Sequence, residues 1–329
     1  MFPRRTLLQS VLFTLCLAPL AALAAPGIEL EKGLTLLPPI VVEPLAVFPV
    51  VQAKQETPKG DFLSLTQGLK EKLVVVTEIE KGASVNNVQV ANKSDKPLLL
   101  LGGEIILGGQ QDRVISGDTI IEPRQSQKVA VFCVEHGRWS GAGQFNRTGG
   151  LAEGKLRRLA KYNQNQGEVW QQVAAKTAAL KATSETGTYR TLAAGEEGKK
   201  ASERFAKIKS ALAALPEAAQ VVGLVSAVNG TVRSVDIFGT PELFASYRDG
   251  LLDSMFIDAA DATGEKKPAP APAAVKDFFD DAQKADGKET SKSSLGNTVQ
   301  KKGKGVSGSE VNTKALPKPA YRSYQSESY

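Results

Sequence analysis

The chain has 329 residues, 42% hydrophobic and 6% aromatic, with a formal charge of +6 from 41 Lys and Arg against 35 Asp and Glu. That length supports one large or two modest domains with a real core. The charge does not mark a nucleic-acid binder: two positives are Arg4 and Arg5, and residues 264–329 hold twelve Lys and Arg against eight Asp and Glu. The body between is close to neutral, without the basic face interleaved with aromatics that nucleic acid requires.

At the N-terminus, Arg4-Arg5, an apolar run from Leu7 to Leu23 and the triplet Ala22-Leu23-Ala24 read as a signal peptide over residues 1–24, cleaved before Ala25. The run is short and contains Pro19, and no comparable apolar segment follows, so no stable membrane span is expected after cleavage. The expectation is an exported protein, periplasmic or secreted, by the general secretory route in preference to the twin-arginine route. Cys16 leaves with the signal, Cys133 remains as the single thiol, and the fold must rest on burial instead of disulfides.

Residues 25–45 read as an N-terminal extension and 46–263 as one α+β domain. Strands are predicted at 46–51, 73–79, 85–91, 98–101, 105–107, 113–116, 119–121 and 128–134, separated by turn signals including Lys81-Gly82, Gly108-Gly109 and Gly117-Asp118. This spacing predicts an antiparallel, β-sandwich-like or barrel-like N-terminal half. The run 98–101 is apolar on both faces, as in a central strand. After Trp139 the period changes. Trp170, Val173, Thr177 and Leu180, and then Phe205, Ile208, Leu212 and Leu215, recur at helical spacing. Asn229-Gly230 between apolar runs predicts a tight hairpin, because both residues accept positive φ. Thr240-Pro241 predicts a capped helix start, with Phe244, Tyr247, Leu251 and Met255 as the stripe that covers the hairpin. Residues 264–275 read as a Pro/Ala spacer, and 276–329 as a Lys-rich tail whose composition is that of a disordered segment. Residues 305–308 and 321–326 nevertheless carry patterns of strands that rejoin the core.

Chemistry-bearing residues concentrate in two stretches, LLGGEIILGGQQDR at 100–113 and CVEHGRW at 133–139. In a strand, Cys133 sits among apolar neighbours on both faces, so it reads first as a core hydrophobe; a Cys133–His136 dyad requires the strand to bend at Glu135. Glu135 continues the Cys133 face and needs a cationic partner, for which Arg138 and Arg113 are candidates; the alternative is a general base. One His and one Cys are too few ligands for zinc, and no metal or cofactor is expected. Gly102-Gly103 and Gly108-Gly109 read as turns or bulges, or as an anion cradle helped by Arg113, Gln110 and Gln111. Trp139 is a core cap or a stacking platform beside a glycine-rich loop.

Taken together, GGEIILGGQQDR, VAVFCVEHGRW and VSAVNGTVRSVDIFGTPELF resemble a bacterial domain family named for its genomic association with ADP-ribosylglycohydrolases and rhodanese-phosphatases. The likeness runs from about Ala46 to Ala259. The resemblance places the family's pattern on Gly103-Glu104, Gln111-Asp112-Arg113, Cys133-Val134-Glu135, Arg138-Trp139, Asp236-Ile237-Phe238 and Leu243-Phe244, with Asp112 where Asn is more usual. It implies an α+β domain ending in a short helix and closing strands, for which 276–282 and 305–326 qualify, and a role beside NAD or ADP-ribose metabolism.

The leading functional expectation is a ligand-binding domain. Its cleft, lined by Glu104, Gln111, Arg113, Glu135, Arg138 and Trp139 with Gln110 and His136 alongside, would hold a small polar or phosphorylated, ADP-ribose-like ligand. A hydrolase using Glu135 or Glu104 as general base, with Arg113 stabilising negative charge, is the second expectation, and an envelope scaffold without a small-molecule site the third. The sequence leaves the oligomeric state open.

Overall fold

The computed structural model describes residues 27–53, 61–79 and 86–328; the expected signal, Cys16 and the Lys81-Gly82 turn lie outside the described residues. The first strands are β1 (Ile28–Glu31), β2 (Leu34–Leu36), β3 (Ile40–Val42), β4 (Leu45–Gln52) and β5 (Leu63–Ser64), followed by helix α1 (Leu65–Lys70). Next come β6 (Val74–Glu78), β7 (Asn87–Asn92), β8 (Leu98–Leu100), β9 (Glu104–Gly108), β10 (Arg113–Ile115), β11 (Thr119–Ile121), β12 (Ser126–Cys133) and β13 (Gln144–Leu151). The helical segment holds α2 (Gly154–Arg158), a π-helical turn (Leu159–Asn163), α3 (Gln166–Ala179), α4 (Thr191–Ala194) and α5 (Glu196–Ala213). The chain closes with β14 (Val221–Val228), β15 (Thr231–Phe238), α6 (Pro241–Ala260), α7 (Pro272–Lys284), β16 (Asp286–Lys292), β17 (Gly296–Gly303), β18 (Val306–Thr313) and β19 (Tyr321–Ser326).

These strands form a ten-stranded sheet ordered β1-β2-β4-β14-β15-β19-β18-β17-β16 with β3 paired to β4, a closed barrel β10-β12-β7-β6-β13-β9, and a small sheet β11-β8-β5. The chain is therefore α+β, 30% helical and 37% strand, with antiparallel sheets and the barrel in the N-terminal half. As its two apolar faces foretold, β8 is the central strand of the small sheet and is buried throughout. The hairpin forms at Asn229 and Gly230, with φ of 47° and 75° and Val228 paired to Thr231. The Thr240 side chain accepts from Leu243 N at 3.2 Å with Pro241 following, and the apolar stripe of α6 packs with the β14 side chains of the hairpin in one core cluster.

Three features depart from the sequence reading. The stretch read as an extension supplies β1, β2 and β3 to the large sheet. The tail is ordered: α7 starts at Pro272, inside the expected spacer, and β16 to β19 complete the sheet. Its polar composition is tolerated because each strand borrows backbone partners from its neighbours, while Val306, Val311, Tyr321 and Tyr324 reach the core. The third is β13, QFNRTGGL, whose glycines and polar residues lack strand propensity. It exists because β6 and β9 would otherwise leave the barrel open, and its register shifts mark irregular pairing.

Candidate functional site

The pairing of β10 with β12 sets Arg113 opposite Cys133, and β12 runs on into Glu135. Here the two sequence stretches meet. Arg113 Nη1 donates to Gln111 Oε1 at 2.8 Å and to Cys133 Sγ at 2.9 Å, and its Nη2 lies 3.5 Å from Glu78 Oε1. Arg138 donates to Glu135 Oε2 at 2.9 and 2.6 Å, to Asp112 Oδ1 at 3.2 Å, and to the carbonyls of Gly108, Gly109 and Ser140. Asp112 N also donates to Glu135 Oε2 at 3.0 Å. Gln111, Asp112 and Glu135 are fully buried and Arg113 nearly so. The guanidinium of Arg138 is committed along its whole edge, which leaves no fork free for a phosphate.

The bland reading of Glu135 therefore has the geometry on its side: it belongs to an ion network. Burial pushes its carboxyl up, and the Arg138 guanidinium more than offsets that, holding it below the usual range. A base so stabilised in its charged form is weak. Cys133 is buried, and that burial raises its thiol above the ordinary value despite Arg113. His136 turns outward to meet Trp170 edge to face at 4.7 Å between ring centroids, so no Cys-His dyad forms. Gln110 and Trp139 are exposed, Trp139 at 57%.

Glu104 stands apart from this network: among the described residues it makes no hydrogen bond or ion pair with Arg113, Glu135 or Arg138. It accepts from Leu101 N at 2.8 Å, fully enclosed, and burial with the nearby Asp118 charge raises its carboxyl to about 8. Burial therefore favours its protonated form. Register puts Glu104, opposite Leu151, two positions along β9 from Ile106, the partner of Arg113, and its carboxylate turns back to Leu101 N instead of towards the guanidinium.

What the Arg138 network holds in place is a loop. His136 N and Gly137 N both donate to Thr186 O at 3.0 and 2.9 Å, and Tyr189 N donates to Val134 O at 2.9 Å. Thr188 Oγ1 donates to Asp112 Oδ2 at 2.9 Å, and Arg190 Nε lies 3.3 Å from the same oxygen. Residues 183–190 are thus stapled to the signature segment. Between that loop and α3 opens a cavity of about 510 Å³, lined by His136, Trp170, Val173, Thr177, Thr183 and Ser184 among others. Its size falls in the range of small-molecule sites, and its lining is mostly apolar with a few hydroxyls. The indole N–H of Trp170 is buried without an acceptor among the described residues.

Sequence reasoning placed Trp170 only in a helical stripe and missed Thr188 and Arg190 entirely. The stripe was a usable signal, since an indole on a helix facing the single histidine is a recognition element; nothing local marks Thr188 or Arg190.

Fold and site together define an α+β protein with a barrel and an extended sheet, and with a small-molecule-sized cavity beside a buried ion network. The chain belongs to the ARPP-1 family, the ARG and Rhodanese-Phosphatase-superfamily-associated Protein domain, whose family model matches residues 33–319. That span is longer than the resemblance read from the sequence and takes in β2 through the turn before β19. The expansion to ADP-ribosylglycohydrolase goes further than the family's description. No curated protein and no solved structure matches the chain.

Proposed function

We propose that this domain binds a small molecule with a planar aromatic ring in the His136–Trp170 cavity. The observation that carries the reading is the cavity itself, where an edge-to-face aromatic pair is backed by small side chains and an indole N–H is left without an acceptor. The signature residues Asp112, Glu135 and Arg138 act beneath it, fixing the 183–190 wall, and do not touch the ligand. An adenine-bearing compound fits the aromatic requirement, whereas the guanidinium of Arg138 is already committed to protein acceptors and leaves no fork for a phosphate. Export is part of the same proposal and rests on Arg4-Arg5, the apolar run and Ala22-Leu23-Ala24. No helix among the described residues is long and apolar enough to cross a membrane.

The chain has two tryptophans, Trp139 and Trp170, which makes the test site-resolved. In a Trp139→Phe background, titration with adenosine and with ADP-ribose reads Trp170 fluorescence alone. A saturable change that His136→Ala weakens is expected. A flat response to both compounds sinks the proposal.

A further inference from the structure

A second group of buried charges lies where the barrel, the π-helical turn and the C-terminal strands meet. Lys161, 1% exposed, extends from the π-helical turn, a local distortion frequent at functional sites. Its Nζ lies 2.7 Å from Asp118 Oδ2 and has no second acceptor among the described residues. Asp118 also accepts from Gly102 N at 2.6 Å and from the Ser309 hydroxyl. Beside it, Arg157 pairs with Asp236 at 2.5 Å and donates to Tyr321 Oη at 2.8 Å. The glycine pair at 102–103 exists for these two cations. A Cβ on Gly102 would stand 2.5 Å from Lys161 Cγ, and one on Gly103 2.4 Å from Arg157 Cγ.

Above Lys161 opens a polar cleft of about 230 Å³ whose walls include Ser116, Asp118, Lys161, Thr298, Gln300 and Ser309, with Lys128 at the exposed rim. Thr298 and Gln300 come from β17 and Ser309 from β18, so the Lys-rich tail builds one wall of it. A lysine has three donors, and only one direction is taken by Asp118. Thr298, Gln300 and Ser309 already donate to Asp118 O, Lys161 O and Asp118 Oδ2, which leaves their oxygens as acceptors; an anion would meet those lone pairs and Asp118, and an apolar ligand would leave them unmet.

We infer that this cleft is a second binding site, independent of the His136–Trp170 cavity, for a small neutral polyhydroxylated ligand such as a single sugar ring. Lys161 donates to a ligand hydroxyl while the wall hydroxyls and amides exchange hydrogen bonds with its neighbours. Burial, opposed by Asp118, draws the Lys161 ammonium below its usual range, in keeping with a donor that has little water to lean on.

Hydrogen exchange of the mature protein with D-ribose, D-glucose and inorganic phosphate as probes tests this. The expected result is saturable protection of residues 116–119 and 298–309 by at least one sugar and none by phosphate. Lys161→Met strands Asp118 and endangers folding, and Gln300 donates to the Lys161 carbonyl at 3.0 Å, so the variant is Ser116→Ala, which removes one cleft hydroxyl and should weaken sugar binding about tenfold, the worth of one hydrogen bond. Protection by phosphate alone overturns the ligand class. Absence of protection by both sugars, or protection confined to other segments, overturns the site.

Discussion

Glu104→Gln isolates one buried carboxyl whose titration is bound to the fold. The group is fully enclosed, and its folded value is raised from 4.5 to about 8, first by burial and then by the Asp118 charge, with the Leu101 N–H pulling the other way. When the folded value exceeds the unfolded one, the native state holds a proton that the unfolded chain gives up. Stability is then greatest below about 4.5 and falls as pH rises towards about 8, by up to ~1.4 kcal/mol per pH unit. Over the whole interval the upper limit is about 5 kcal/mol, reached above pH 8. Glutamine keeps the acceptor for Leu101 N and cannot ionise. Urea unfolding of both proteins at several pH values between about 5 and about 8 gives the difference directly. The variant should be near parity at the acid end and gain steadily towards the alkaline end. Because every other titrating group is shared, a difference that stays constant with pH refutes the reasoning, since it means Glu104 ionises as freely inside the protein as outside it.

Arg138→Met removes the cation shared by Glu135 and Asp112. Breaking a buried pair costs about 3–5 kcal/mol, and Arg190, 3.8 Å from Glu135 and 3.3 Å from Asp112, retains part of it, so a loss of about 2–4 kcal/mol in urea unfolding is expected. The same variant should loosen the 183–190 wall, read as faster hydrogen exchange at the amides of His136, Gly137 and Tyr189. Gly103→Ala adds a Cβ at φ of 99° that meets Arg157, and a loss of about 2–4 kcal/mol in urea unfolding is expected, against near neutrality for Gly117→Ala, which has no positive φ and where nothing lies within 4 Å. Glu31 is pushed up by burial, but Arg322, Gln283 and Lys318 more than offset that and hold it at about 2. Its stabilisation is present above about 4.5 and lost as pH falls towards about 2, so Glu31→Gln should unfold with a flatter acid limb in a circular-dichroism pH titration.

Much of the fold was legible in the chain because its signals are local. The short apolar runs of β4, β6 and β12 between turn signals, the Asn229-Gly230 turn, the Thr240-Pro241 cap and the stripe of α6 each follow from neighbouring residues, and the order of motifs identified the family. The meeting of Gln111, Asp112 and Arg113 with Cys133, Glu135 and Arg138 was also anticipated, from the concentration of reactive groups in two stretches, although β11 lies between β10 and β12 and pairs in another sheet. Only the tertiary structure decided what that meeting is. A sequence records which groups carry charge, not whether they face water or one another, and here they face one another under the wall of a cavity whose indole comes from α3. It likewise decided that Glu104 belongs with Asp118, that the Gly102-Gly103 pair clears space for Lys161 and Arg157, and that β13 is a strand and β16 and β17 join the closing strands already read at 305–308 and 321–326. Those outcomes rest on partners distant along the chain, and burial and strand pairing over such separations leave no periodic trace in the residues themselves.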